Sequence, residues 1–117
     1  ECGIVSYSND MKTKLLGVSL KTLDAYGAVS EQTAREMALG AKRVSGADIA
    51  ISTTGLAGPG GDGVLPGGLS FAAVTDGEST VVEKIVTGHE NDREYNRYVT
   101  ASRALNLVRL MLEEKIK

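Results

Sequence analysis

The sequence predicts an α/β domain with helices packed on a mixed sheet, as a two-layer or three-layer sandwich. Three observations lead there. Apolar residues recur at helical spacing over residues 31–43, and again from Asn91 or Asp92 to about Glu114. Two runs suited to strands, residues 69–74 and 80–86, flank Asp76-Gly77, a pair favoured in tight turns, so they are expected to form one antiparallel hairpin. Residues 47–52 read as a further strand, turning polar at Ser52-Thr53-Thr54 and running directly into a glycine-rich stretch.

Taken in order, residues 3–8 alternate well enough for a first strand, with Asn9 or Asp10 able to cap the short helix after it. Residues 12–16 make that short helical turn, which Gly17 stops. Ser19 caps a second short helix over residues 20–26, ended by Gly27. Ser30 caps a longer helix from Glu31 to about Arg43, with Ala34, Met37, Ala38, Ala41 and Val44 on one face and Gly46 at its close. In the last helix Tyr95, Tyr98, Ser102, Leu105, Val108 and Leu112 form the apolar stripe, which Ala101 and Met111 widen. The order is β-α-α-α-β-β-β-α.

At 117 residues the chain is one domain. A net charge of −2 argues against direct nucleic-acid binding, which needs a basic face. No apolar run approaches the length of a membrane span. The single Cys2 excludes an internal disulfide and a zinc cluster, and suits a reducing cytoplasm. With His89 the only histidine, a histidine-based metal site or Ser-His-Asp triad is not expected; neither Cys2 nor His89 receives a role. The chain opens at Glu1-Cys2-Gly3 without methionine, and Ile4-Val5 already resemble mid-strand residues, so a domain truncated at its amino terminus is expected. An incomplete sheet edge of that kind makes a homo-oligomer plausible.

Seven of the 14 glycines fall within residues 55–68. Glycine permits positive φ and close approach of backbone to a ligand, and ligands of open α/β sheets bind at the carboxyl ends of strands. A long surface turn is the plainer reading. A Walker-type phosphate loop is excluded, because Gly-Lys-Ser/Thr is missing and a strand follows. A dinucleotide fingerprint fails for want of a following helix amino terminus. Arg93 and Arg97 sit in the first two turns of the last helix, where the helix dipole disfavours cations. Either an anion binds between them, or Asp92 and Glu94 neutralise them on a solvated face. Lys12, near Tyr7, Ser6 and Ser8, is an ordinary solvated lysine or, with a lowered pKa, a base for a serine nucleophile.

Gly-Ile-Val-Ser-Tyr-Ser-Asn-Asp-Met-Lys at 3–12, Leu-Gly-Val at 16–18, Tyr-Gly-Ala-Val-Ser-Glu at 26–31, Thr-Gly-Leu-Ala-Gly-Pro-Gly-Gly at 54–61 and Asp-Arg-Glu-Tyr-Asn-Arg at 92–97 form an ordered set. Through them the chain, over nearly its whole length, resembles the CinA carboxy-terminal domain family, whose catalytic members are bacterial nicotinamide-nucleotide amidases. The resemblance implies hydrolysis of nicotinamide mononucleotide to nicotinic acid mononucleotide and ammonia, without metal or cofactor, by a serine nucleophile and a neutral lysine base. It makes Lys12 the catalytic lysine and Tyr7 an auxiliary that orients the dyad. Thr54 lines the site, and Gly55, Ala57, Gly58 and Gly60 belong to the loop beneath the substrate. Arg93 is expected at the charged end of the substrate, with Arg97 a weaker assignment to its phosphate.

Two departures accompany it. The family's nucleophile lies in an upstream Glu-Ser-Cys-Thr-Gly-Gly segment, which these residues do not contain, so the chain alone is expected to be inactive. Residues 63–68 replace a charged loop ending in Lys-Pro-Val-Gly: Pro66 and Gly68 align, but the lysine is lost. The alternative is a non-catalytic nucleotide-binding or protein-interaction module linked to competence or DNA damage.

Overall fold

The computed structural model describes residues 2–114. Four helices and three strands follow one another as α1 (Asn9–Leu16), α2 (Leu20–Tyr26), α3 (Glu31–Ser45), β1 (Ala50–Gly55), β2 (Leu69–Thr75), β3 (Thr80–Val86) and α4 (Arg93–Leu112). The strands form one sheet in the order β1-β2-β3. The α/β class holds, and the layers number three.

β2 explains the layering. It is the central strand and carries small or apolar side chains on both faces. Ala73, with Phe71, meets Ala34 and Ala38 of α3 on one side. Ala72 and Val74, with Ile85 of β3, meet Ala104, Leu107 and Met111 of α4 on the other. Alanines on both α3 and β2 let that helix lie close to the sheet. Each fully buried large aliphatic chain on the α4 side contributes about 1.5–3 kcal/mol. α1 and α2 pack on α3 through Leu16, Val18 and Met37, with Leu23 against them. Gly40 makes that packing close: a Cβ there would stand 1.8 Å from the Leu16 carbonyl oxygen.

The hairpin forms where Asp76-Gly77 predicts it, with Thr75 paired to Thr80. Asp76 Oδ1 accepts the N–H groups of Glu78 and Ser79, and Gly77 takes φ 94°.

Four expectations are corrected. Residues 3–8 form no strand, so the described sheet is antiparallel throughout and not mixed. Of that stretch only Ile4 joins a hydrophobic cluster, and Ser8, rather than Asn9 or Asp10, is recruited as the N-cap of α1. A strand needs a ladder as well as alternation, and here the local cap takes the end of the segment. Second, the strand expected at 47–52 runs instead over Ala50–Gly55. Ala47 is drawn off by side chains, its carbonyl accepting Lys42 Nζ and its N–H donating to Ser45 Oγ. Thr53, Thr54 and Gly55 pair with Ala72, Phe71 and Ser70 in its place.

Third, α3 runs on to Ser45 and leaves Val44 exposed, burying Thr33 and Gly40 beside Ala34, Met37 and Ala38. Fourth, α4 turns inward a face that shares only Met111 and the half-buried Val108 with the expected stripe. Asn96, Ala104, Leu107 and Met111 are buried, while Tyr95, Tyr98, Leu105 and Leu112 are exposed. The helix is apolar on two sides, and hydrophobic spacing alone does not choose between them.

Candidate active site

Lys12 is placed by the caps of α1. Ser8 Oγ accepts the Met11 N–H at 3.2 Å, and Gly17, at φ 69°, closes the helix through its N–H to the Lys12 and Thr13 carbonyls. Leu16 and Val18 anchor the far end in the core. Lys12 is therefore turned inward, only 9% exposed, and its Nζ donates to the Ser6 carbonyl at 3.2 Å. Burial disfavours the ammonium form and holds Lys12 below the usual 10.5 of a lysine. Tyr7, just before α1, is 96% exposed.

At the other end of the site, the hydroxyls of β1 divide by strand alternation. Ser52 and Thr54 face α3, donating to the Ala34 and Ala28 carbonyls, each at 2.6 Å. Ile51 and Thr53 lie on the opposite, α4 side of β1 and are exposed.

The loop from Leu56 to Gly68 is built by its own backbone and by α4. Its base is closed by Leu56 N–H to the Leu69 carbonyl at 2.9 Å and Gly68 N–H to the Leu56 carbonyl at 2.6 Å. Asp62 Oδ1 accepts the Val64 and Leu65 N–H groups, which holds the Asp62 carboxyl below its ordinary range. Gly60 N–H reaches the Glu90 carbonyl at 2.8 Å. Gly67 is required by close approach, since a Cβ would lie 2.3 Å from the Glu90 carbonyl oxygen. The Gly58–Pro59 peptide is cis.

The first turn of α4, capped by Asp92 through the Tyr95 N–H, meets this loop. Arg93 Nη1 donates to the Gly58 carbonyl at 3.1 Å. Asn96, 2% exposed, donates from Nδ2 to the carbonyls of Ala57 at 2.8 Å and His89 at 2.7 Å. Arg93 and Arg97 are both exposed, and no ion pair among the described residues involves either.

These parts surround a cleft of about 970 Å³ between the outer face of β1, the amino-terminal segment and α4. Tyr7, Lys12, Thr54, Gly55, Ala57, Arg93 and Arg97 all line it. A smaller hollow of about 240 Å³ is lined by Gly55, Ala57, Gly58, Gly60 and again Arg93. The nine residues singled out in the sequence thus fall on two hollows that share Gly55, Ala57 and Arg93. Three cations and no carboxylate line the larger cleft among the described residues, an electrostatic setting for an anion. No serine hydroxyl bonds to Lys12 Nζ among the described residues; its one partner is a backbone oxygen. Sequence reasoning missed Asn96, whose only signal was a polar residue on the same helical face as Leu107 and Met111.

The CinA C-terminal domain family matches residues 1–112. A CinA-like protein of Chloroherpeton thalassium is 46% identical over 116 residues, covering 94% of this chain and 27% of that protein. Among solved structures, a competence/damage inducible protein from Agrobacterium tumefaciens is 39% identical with a TM-score of 0.83, over 89% of this chain and 64% of that one. A CinA superfamily protein from Escherichia coli is 31% identical with a TM-score of 0.84, over 92% and 62%. The chain spans about a quarter of the length of the curated relatives it matches and under two thirds of these two solved chains. Matched over residues 1–112 in sequence and superimposable in fold, the chain belongs to the CinA C-terminal domain family.

Proposed function

We propose that the chain supplies the base and the substrate cleft of an amidase that hydrolyses the carboxamide of nicotinamide mononucleotide to nicotinic acid mononucleotide and ammonia. The observation that carries this reading is Lys12. It is turned inward by its own helix, has a lowered pKa, and lines a cleft whose other charges are two arginines outside any ion pair among the described residues. A lysine of that kind takes a proton from a hydroxyl more readily than a solvated one does.

In the proposed reaction a serine hydroxyl from outside these 117 residues adds to the carboxamide carbon, and its proton passes to neutral Lys12 Nζ. Collapse of the tetrahedral intermediate breaks the C–N bond, and the Lys12 proton goes to the departing amine as ammonia. Water, deprotonated by the same Nζ, then cleaves the acyl ester and restores the serine. In this reading Tyr7, which lines the same cleft as Lys12, assists the dyad, Gly55 and the backbone of Thr54 border the carboxamide while the Thr54 hydroxyl stays bound to Ala28, and Arg93 with Arg97 face the phosphate.

Ammonia release from nicotinamide mononucleotide by the full-length protein tests the reading. Stoichiometric formation of ammonia and nicotinic acid mononucleotide is expected. Binding of the nucleotide without turnover would replace the amidase with the non-catalytic module, a reading favoured by the backbone-only partner of Lys12 Nζ and by the competence-damage names of the relatives.

A further inference from the structure

Asn96 is buried yet fully bonded, and its bonds run to three different segments. Thr87 Oγ1 lies beside Asn96 Oδ1, and the same Thr87 oxygen accepts the His89 N–H. The two carbonyls facing this amide, of Ala57 and His89, can only accept, so they turn Nδ2 toward themselves and Oδ1 toward Thr87. The Thr87 hydroxyl therefore gives its single proton to Asn96 Oδ1. The amide has one orientation, and turning it over would set an oxygen against two carbonyl oxygens.

Ala57 lies in the glycine loop, and its peptide unit is a rigid plane. Holding the Ala57 carbonyl against α4 aims the N–H of Gly58, on the other side of that plane, away from Asn96. Neither the Ala57 nor the Gly58 N–H has a hydrogen-bond partner among the described residues, whereas those of Leu56 and Gly60 are taken. Arg93 holds the next carbonyl, that of Gly58. Two consecutive loop carbonyls are thus fixed by α4, one by an exposed arginine and one by a buried amide.

We propose that Asn96 is a positioning residue of this site: its amide, with Oδ1 satisfied by Thr87, pins Ala57 to α4, so that the free loop N–H groups are held in place for the substrate. The chemical consequence rests on the amidase reading; the pinning itself does not.

The test compares Asn96→Asp, Thr87→Val and Thr87→Ser in the full-length protein. Asn96→Asp keeps the shape but sets a carboxylate against two carbonyls. Thr87→Val removes the proton that Asn96 Oδ1 accepts and leaves that buried oxygen without its donor, whereas Thr87→Ser keeps that proton. Hydrogen exchange of the bonded Leu56 and Gly60 amides is expected to accelerate about tenfold or more in Asn96→Asp and Thr87→Val, while β2 and β3 keep their protection. Thr87→Ser should retain wild-type exchange in the loop. In the same proteins kcat/KM for nicotinamide mononucleotide should fall with the loss of loop protection. Unchanged loop exchange in both Asn96→Asp and Thr87→Val overturns the proposal, as does equal acceleration throughout the sheet in Thr87→Val. An altered loop in a protein that shows no amidase activity in any form would leave the pinning standing and sink the amidase reading alone.

Discussion

Replacing Lys12 by methionine separates what this residue does for the fold from what it does for chemistry. Methionine is an unbranched chain of similar length on the same buried face of α1 but carries no proton acceptor. The variant loses one hydrogen bond, Nζ to the Ser6 carbonyl, long at 3.2 Å and without a companion. A bond from a charged donor contributes about 1.5–3 kcal/mol, and this geometry belongs at the lower end, about 1.5. Against it, the thioether end buries roughly two CH₂-sized groups where an ammonium stood, returning about 1.6 kcal/mol. The two cancel, so Lys12→Met should unfold within about 1 kcal/mol of wild type in urea at neutral pH, while kcat falls by about 10²–10⁴-fold with the loss of the base.

The pH dependence gives the same claim a second handle. Because burial lowers Lys12 in the folded protein, both states are protonated at low pH and the cost of burying the charge is present in full. As pH rises from the depressed value toward 10.5, the folded state releases its proton first, so the unfolded state holds more protons and stability rises. Wild type should therefore gain stability over Lys12→Met across that window, and the ascending limb of kcat/KM should have its midpoint below 10.5. Urea melts of both proteins at several pH values, with ammonia release alongside, measure all of this. Wild-type kcat in Lys12→Met would refute the role of Lys12 as base. A wild type that lost stability against the variant as pH rose would refute the burial argument.

The packing and the cleft support three further predictions. Arg93→Ala should raise KM about 10-fold or more through loss of a charge-assisted contact, with stability nearly unchanged because its bond to Gly58 is exposed; steady-state kinetics check this, and an unchanged KM would count against an anion site. Gly40→Ala should cost about 1–3 kcal/mol in urea unfolding, since its Cβ would meet the Leu16 backbone and push α1 off α3. Ile85→Ala, in the core beneath α4, should cost about 2–5 kcal/mol by the same measurement without moving KM.

The elements legible in the sequence were those whose signals are local. Ser19 and Ser30 cap their helices as read, because a hydroxyl that can reach the backbone N–H three residues on needs no tertiary help. Asp76-Gly77 forms its turn for the same reason, its carboxylate and its positive φ both being properties of the turn itself. What the sequence hid was decided by partners far along the chain. Residues 3–8 alternate like a strand but find no ladder. Residues 47–49 alternate too, and Ala47 is claimed by Lys42 and Ser45 from the preceding helix. α4 offers two apolar faces of similar weight. Its choice of Leu107 and Met111 over Tyr98 and Leu105 depends on the shape of the β2–β3 surface, which no single-helix pattern contains.

The candidate site shows the same division in sharper form. Lys12, Thr54 and Arg93 carry chemistry in their side chains, so each drew attention from its residue type and setting, and each lines the large cleft. Asn96 was invisible because its function is relational. Its amide matters only where a loop 39 residues earlier presents a carbonyl and a threonine nine residues earlier supplies a proton. Composition and periodicity both score such a residue as a flaw in the buried face of a helix. The structure turns that flaw into a constraint, because a buried amide with every donor and acceptor used tolerates few substitutions. A polar residue on the inward face of a helix that packs against a glycine loop is therefore itself a readable signal. It marks where the loop carbonyls are fastened, and hence which of the loop N–H groups remain free.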